Sequence, residues 1–156
     1  MNTINGLPAH PLLVHLAVVV IPLAAIIAVL AVFWPAARRW LGPATPLVAL
    51  LALVVTPLTT SAGEALEKRT RPNPALETHV NLGDQMIYWV APLFVLATLM
   101  WALHTPLLRR YSATIPAGAS RVASVVLGVL TVIVSIGAIV WVYRIGDSGA
   151  QSVWSH

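Results

Sequence analysis

The chain contains no cysteine. That excludes disulfides, thiolate metal sites, cysteine-ligated iron–sulfur clusters, covalent haem attachment through a CxxCH motif and a cysteine nucleophile. Charge is nearly as scarce. Asp, Glu, Lys and Arg make up 9% of the 156 residues, against about 25% in a soluble domain, while 58% are apolar. A soluble globule of this length has too little interior to hide that much apolar surface. A cytosolic or secreted domain, a disordered tail and a nucleic-acid partner are therefore excluded. The basic excess, nine Lys and Arg against five Asp and Glu, reads as membrane topology rather than as a DNA footprint. The sequence also lacks a nucleophile–base pair, a phosphate-cradling glycine loop and paired acid–base carboxylates, so hydrolase or kinase chemistry is not expected.

What is present is four long stretches without a charged residue: 1–37, 40–63, 85–108 and 122–143. About 20 residues cross the hydrocarbon layer as a helix, and each stretch is long enough for one crossing. The sequence predicts an all-α four-helix transmembrane bundle, a single integral membrane domain over 1–156, with helices over roughly 11–35, 44–64, 74–104 and 120–144. No Lys or Arg precedes Leu12, so the positive n-region of a cleavable signal is missing. Four crossings put both termini on one side of the bilayer. Arg38, Arg39, Arg109, Arg110 and Arg121 gather at one end without an acid; Lys68, Arg69, Arg71, Arg144 and all five acids gather at the other. The first helix has no basic residue before it and two after it, which makes the termini extracytoplasmic.

Aromatics fit this register. Trp34, Trp40, Trp101 and Tyr111 fall at one face, and Tyr88, Trp89, Trp141, Tyr143 and Trp154 towards the other, as interfacial belts or as bundle packing. Pro22, Pro57 and Pro92 lie inside the first three spans. Ser124, Gly128, Thr131 and Ser135 form a stripe of small residues on the fourth span, and Thr56, Thr60, Gly63 and Glu67 one on the second; both suit close helix contact. No internal repeat is visible in the sequence.

The polar segments 10–15, 61–67, 77–84 and 144–149 all belong to the end that carries the termini. One polar pocket at that mouth of the bundle follows. Pro11 suits a first helical position with His10 just outside it, and Asn73 can cap a helix opened by Pro74. His15 and His79 then lie about 6–8 Å inside their helix starts, matched in depth. Glu64 and Glu67 sit near a helix C-terminus, the unfavourable end for an anion, which makes them functional candidates; Glu64 may equally pair with Lys68 one turn on. Asp84 and Asp147 read as turn or capping residues, and His104 and His156 as incidental.

These segments resemble the bacterial predicted-membrane-protein family called domain of unknown function 2231. The resemblance rests on His10-Pro11-Leu-Leu-Val-His15 with Pro22, on Gly63 and Glu67, on His79 and Gly83, and on the tail from Gly146 to Trp154. Ala17 stands where relatives usually carry proline, and Asp147 where many carry histidine. The resemblance implies a bacterial cytoplasmic membrane protein of an extracytoplasmic electron-transfer system with b-type haem and a cytochrome or Rieske-type partner.

The leading expectation is a small membrane electron-transfer protein in which His15 and His79 are axial ligands to one haem b near the extracytoplasmic face. Lys68, Arg69, Arg71 and Arg144 would pair with the propionates, and Gly63 and Gly83 would let the macrocycle approach the backbone. A second reading is a zinc or copper site without haem, with ligands drawn from His10, His15, His79 and Glu64. A third is a non-catalytic accessory or assembly subunit of a membrane complex, and ion or proton transfer is a minor fourth. A homo-oligomer is compatible with each.

Overall fold

The computed structural model describes residues 3–4, 7–68, 74–105 and 117–154. Among the described residues six helices carry the fold: α1 (Ala9–Phe33), α2 (Pro35–Leu41), α3 (Ala44–Glu67), α4 (Pro74–Gln85), α5 (Ile87–His104) and α6 (Ala117–Trp154). Thr3–Ile4 and Leu7–Pro8 pair as two-residue antiparallel strands ahead of α1. Four stretches are long and apolar enough to span a bilayer: His10–Phe33, Ala44–Glu67, Pro74–His104 and Gly118–Gln151. They close into a ring in which α1 packs on α3 and α6, and α5 packs on the same two helices. The start of α1 and the end of α6 therefore lie at one end, with His10 and His79; we call it the histidine end. The other is the arginine end.

The helix boundaries differ from expectation for local reasons. α1 begins at Ala9, so Pro11 falls within the first turn, where its missing N–H bonds to nothing anyway. It stops at Phe33 because Pro35 forces Trp34 into an extended conformation, φ −120° and ψ 98°. The chain then makes α2, a short helix absent from the sequence reading, and turns at Gly42, whose φ of +44° suits a residue without Cβ. The third span divides at Met86. The carbonyl of Leu82, which an unbroken helix would offer to the Met86 N–H, accepts the Trp141 indole N–H at 3.0 Å. Met86 bonds to the Gly83 carbonyl instead, at 3.1 Å. A side chain entering the ladder is a recognised cause of such a break. α6 runs ten residues beyond its expected end. Gln151 donates to Asp147 at 2.9 Å along its last turns, and the amphipathic α4 covers that extension.

The core is built from small residues. Ala17, Ala24, Ala25, Ala28, Ala49, Ala52, Ala97 and Ala138 are buried around Val90 and Leu93, which brings backbones close, as lipid-embedded helices require. The small stripe on α6 faces inward: Gly128 is buried, and Thr131 and Ser135 are each 1% exposed. Hydroxyls inside the spans bond to their own helix. Thr56, Thr98 and Thr131 donate to the carbonyls of Ala52, Phe94 and Leu127 at 2.7–2.8 Å. Ser135 Oγ is the exception, a buried hydroxyl without a partner among the described residues.

Aromatics divide between lipid and core. Trp34, Trp40, Tyr88 and Tyr143 are exposed and suit interfacial belts. Trp89 and Trp141 turn inward, with centroids 5.9 Å apart, so for them the packing alternative holds. The Trp89 ring occupies the space that any side chain at Gly137 would need.

Gly137→Val is expected to lower stability by about 1–3 kcal/mol, the usual overpacking cost. Gly146→Ala, where an added Cβ meets nothing, is expected to be neutral or stabilising by up to about 1 kcal/mol. Denaturant unfolding in mixed micelles compares the two, and equal effects would contradict the Trp89–Gly137 contact. In the same assay Ser135→Ala removes the orphan hydroxyl and should gain stability, by about 1 kcal/mol.

Candidate functional site

The histidine end is organised by one local arrangement that occurs twice. On α1, His10 is half-buried, and its Nδ1 lies 3.2 Å from the Thr59 carbonyl of α3. Four residues on, Gly63 has no Cβ; an added one would come within 3.0 Å of the imidazole Cε1. On α4, His79 is half-buried, and its Nδ1 lies 3.0 Å from the Ile145 carbonyl of α6. Four residues on, Gly149 has no Cβ; an added one would come within 3.0 Å of that imidazole's Cε1. Each histidine thus sits near the start of one helix, against a glycine near the end of its antiparallel neighbour. The glycine is needed because the imidazole edge must reach a helix backbone that a side chain would shield.

A carbonyl only accepts, so Nδ1 is the protonated nitrogen of both rings. The Nδ1–H of His79 also meets Ser148 Oγ at 3.1 Å, and that hydroxyl donates to the Ile145 carbonyl at 2.9 Å. With Nδ1 committed, the free lone pair of each ring is on Nε2, and neither Nε2 meets a hydrogen-bond partner among the described residues. This is the state in which histidine ligates a metal, its other nitrogen pinned to a backbone carbonyl. Below them lies a cavity of about 60 Å³ lined by all four spans, including Val14, Thr59, Gly83, Met86 and Ile145.

The structure places the expected residues differently from one another. His15 is exposed, shares a helix face with the exposed Leu12 and Val19, and donates from Nδ1 to the Pro11 carbonyl of its own helix at 2.6 Å. It is His10 that meets a neighbouring helix, because α1 starts before His10 and the five-residue step to His15 turns about 140° around the axis. Gly63 receives an imidazole rather than leaving room for a macrocycle. Gly83 is open and lines the small cavity. Glu64 is exposed. Its link to Lys68 is the backbone bond from the Lys68 N–H to the Glu64 carbonyl, 3.3 Å; no ion pair joins their side chains among the described residues. The Arg144 guanidinium stacks over the Trp141 ring at 4.7 Å. Lys68 is exposed at the end of α3. Arg69, Arg71, Asn73, Arg109, Arg110, Tyr111 and His156 lie outside the described residues. The described residues hold no group of three or more His, Asp or Glu able to ligate one ion, so the four-ligand set is not assembled.

The contribution of Ser148 and Gly149 was missed by sequence reasoning. The signal that would have found them is a glycine four residues after the accepting carbonyl, on the helix facing each histidine, and it has no meaning until the helices are paired.

A family model described as Predicted membrane protein (DUF2231) matches residues 6–156, and the chain belongs to that family. No curated protein and no solved structure matches the chain.

The ring nitrogens give a direct test. ¹⁵N spectra of the histidine-labelled, metal-free protein at neutral pH should show His10 and His79 as Nδ1–H tautomers with unprotonated Nε2. Each of His10→Ala and His79→Ala should cost about 1–3 kcal/mol through the backbone carbonyl it leaves and the contact it loses. His15→Ala should stay within about 0.5 kcal/mol. A larger effect at His15 than at His10 would contradict the pairing.

Proposed function

We propose that His10 and His79 are the ligand pair for one transition-metal centre at the extracytoplasmic mouth of the bundle. The protein then serves a membrane electron-transfer system as its small metal-binding component, with a cytochrome or Rieske-type protein as partner. The observation that carries this reading is the repeated pinning of Nδ1 to a backbone carbonyl, which leaves two Nε2 lone pairs without partners among the described residues.

The donor chemistry suits copper, zinc or haem iron, all of which accept neutral imidazole. Space separates them. A haem between the imidazoles needs a pocket in the usual ligand range of about 300–1,000 Å³, and the cavity beneath them measures about 60 Å³. That difference in volume favours a bare ion over a macrocycle as the occupant. Copper is the better candidate, because a given nitrogen site binds copper(II) more tightly than zinc. The chain's own residues have three tasks here. Thr59 and Ile145 fix the tautomers, Gly63 and Gly149 set how closely the rings approach the helices, and the apolar shell below excludes water.

The test is titration of the metal-depleted, detergent-solubilised protein with copper, zinc or hemin in parallel. One copper per chain is expected, with nitrogen hyperfine structure from two imidazoles in the copper(II) spectrum. His10→Ala and His79→Ala should each weaken binding by about tenfold or more, while His15→Ala leaves it unchanged. A Soret band that depends on both His10 and His79 would reassign the pair to haem iron and require the helices to part. Stoichiometric binding of neither, with stability loss as the sole effect of the substitutions, would make the histidines helix clasps and overturn the proposal.

A further inference from the structure

The arginine end carries a second and larger concavity, about 630 Å³ in volume, well inside the range of small-molecule sites. Arg38 and Arg39 reach it from α2, Trp101 and His104 from α5, Ala31 from α1 and Ala97 from α5. It has a basic rim and an apolar floor. We propose that it binds the phosphate of an anionic phospholipid with a glycerol-bearing headgroup, the headgroup at the rim and the upper acyl chain against the floor.

Three independent observations support this. The first is charge. All five carboxylates of the chain lie at positions 64, 67, 77, 84 and 147, and none of them lines the cavity. Neither Arg38 nor Arg39 is in an ion pair among the described residues, so two guanidiniums face one cavity without an internal counter-ion. Guanidinium offers a planar fork that matches phosphate oxygens. Basic pockets between membrane helices are recurrent sites for anionic headgroups.

The second is depth. α2 lies between two spans, and Trp34 and Trp40 beside the arginines are exposed, Trp40 at 86%. Such tryptophans sit at headgroup level, so the cavity opens where phospholipid phosphates already are. The third is hydrogen bonding. His104 donates from Nδ1 to the Met100 carbonyl at 2.8 Å, which leaves its Nε2 as an acceptor. An acceptor beside two cations suits a ligand that combines a phosphate with hydroxyl groups, which a choline headgroup lacks. The amphiphile also answers the lining: Ala31 and Ala97 are buried apolar residues that a free phosphate would leave uncovered.

The site is at the opposite end from the histidine pair and does not depend on the metal reading. The test is native mass spectrometry of the full chain with added phosphatidylglycerol, phosphatidylcholine or inorganic phosphate. Phosphatidylglycerol should be retained about tenfold more strongly than phosphatidylcholine. The Arg38→Gln, Arg39→Gln double variant should abolish that preference. Arg121→Gln, at the same end on the exposed start of α6 and outside the cavity lining, should preserve it. Ala31→Leu keeps both charges, fills part of the cavity and should lower retention as well, which covers the case of a double variant that does not fold. Equal retention of the two lipids by the unaltered chain would overturn the proposal, as would retention that survives both the double variant and Ala31→Leu. Displacement of the lipid by millimolar inorganic phosphate would assign the cavity to the free ion and overturn the lipid assignment.

Discussion

Water is missing from the hydrocarbon layer, and the structure is arranged around that fact. A polar group placed there must find its partner within the protein. The threonines of the spans solve this locally by donating back along their own helices. His10 and His79 solve it across helices, each donating to a carbonyl of a neighbour. Trp141 does the same with the Leu82 carbonyl, and the third span breaks where that carbonyl is withdrawn from the ladder. Backbone carbonyls are thus the main acceptors available to side chains in this fold, and they decide which nitrogen of each imidazole is left over.

Close approach is the condition for such bonds, and it depends on missing side chains. The core is largely alanine, so the helices run near one another. Glycine marks the points where a ring must touch a backbone: Gly63 under His10, Gly149 under His79 and Gly137 under Trp89. Glycine in a helix interior costs about 1 kcal/mol relative to alanine. Gly149 nevertheless lies inside α6, because α4 and its histidine pack on that part of the helix. Tertiary contact overrides local propensity at the place where the candidate site is built.

The two ends of the bundle use opposite chemistry. The histidine end holds the carboxylates and a pair of pinned imidazoles over a cavity of about 60 Å³. The arginine end holds unpaired guanidiniums around a cavity roughly ten times larger. Separating them by an apolar span keeps the acids from neutralising the arginines, since the lipid interior between the two ends offers no place for a long-range ion pair. One end is suited to a donor-seeking cation, the other to an anion.

Composition and spacing alone determined that the chain spans a bilayer four times, that its ends share a side, and that the polar residues of distant segments meet at one mouth. Those conclusions need only the length of uncharged runs and the thickness of the hydrocarbon layer, quantities that do not depend on how helices rotate. Rotation was decided by the tertiary structure. Starting α1 at Ala9 makes the five-residue step from His10 to His15 helical, about 140° around the axis, and helix packing turned His10 towards α3 and left His15 among exposed residues. Pairing of the helices likewise chose Gly63 and Gly149 as seats for the imidazoles. It also opened the basic cavity around Arg38, Arg39 and His104, residues whose spacing in the sequence carries no signal. Side-chain direction and empty volume are properties of helices packed together, and they exist only once each helix has neighbours.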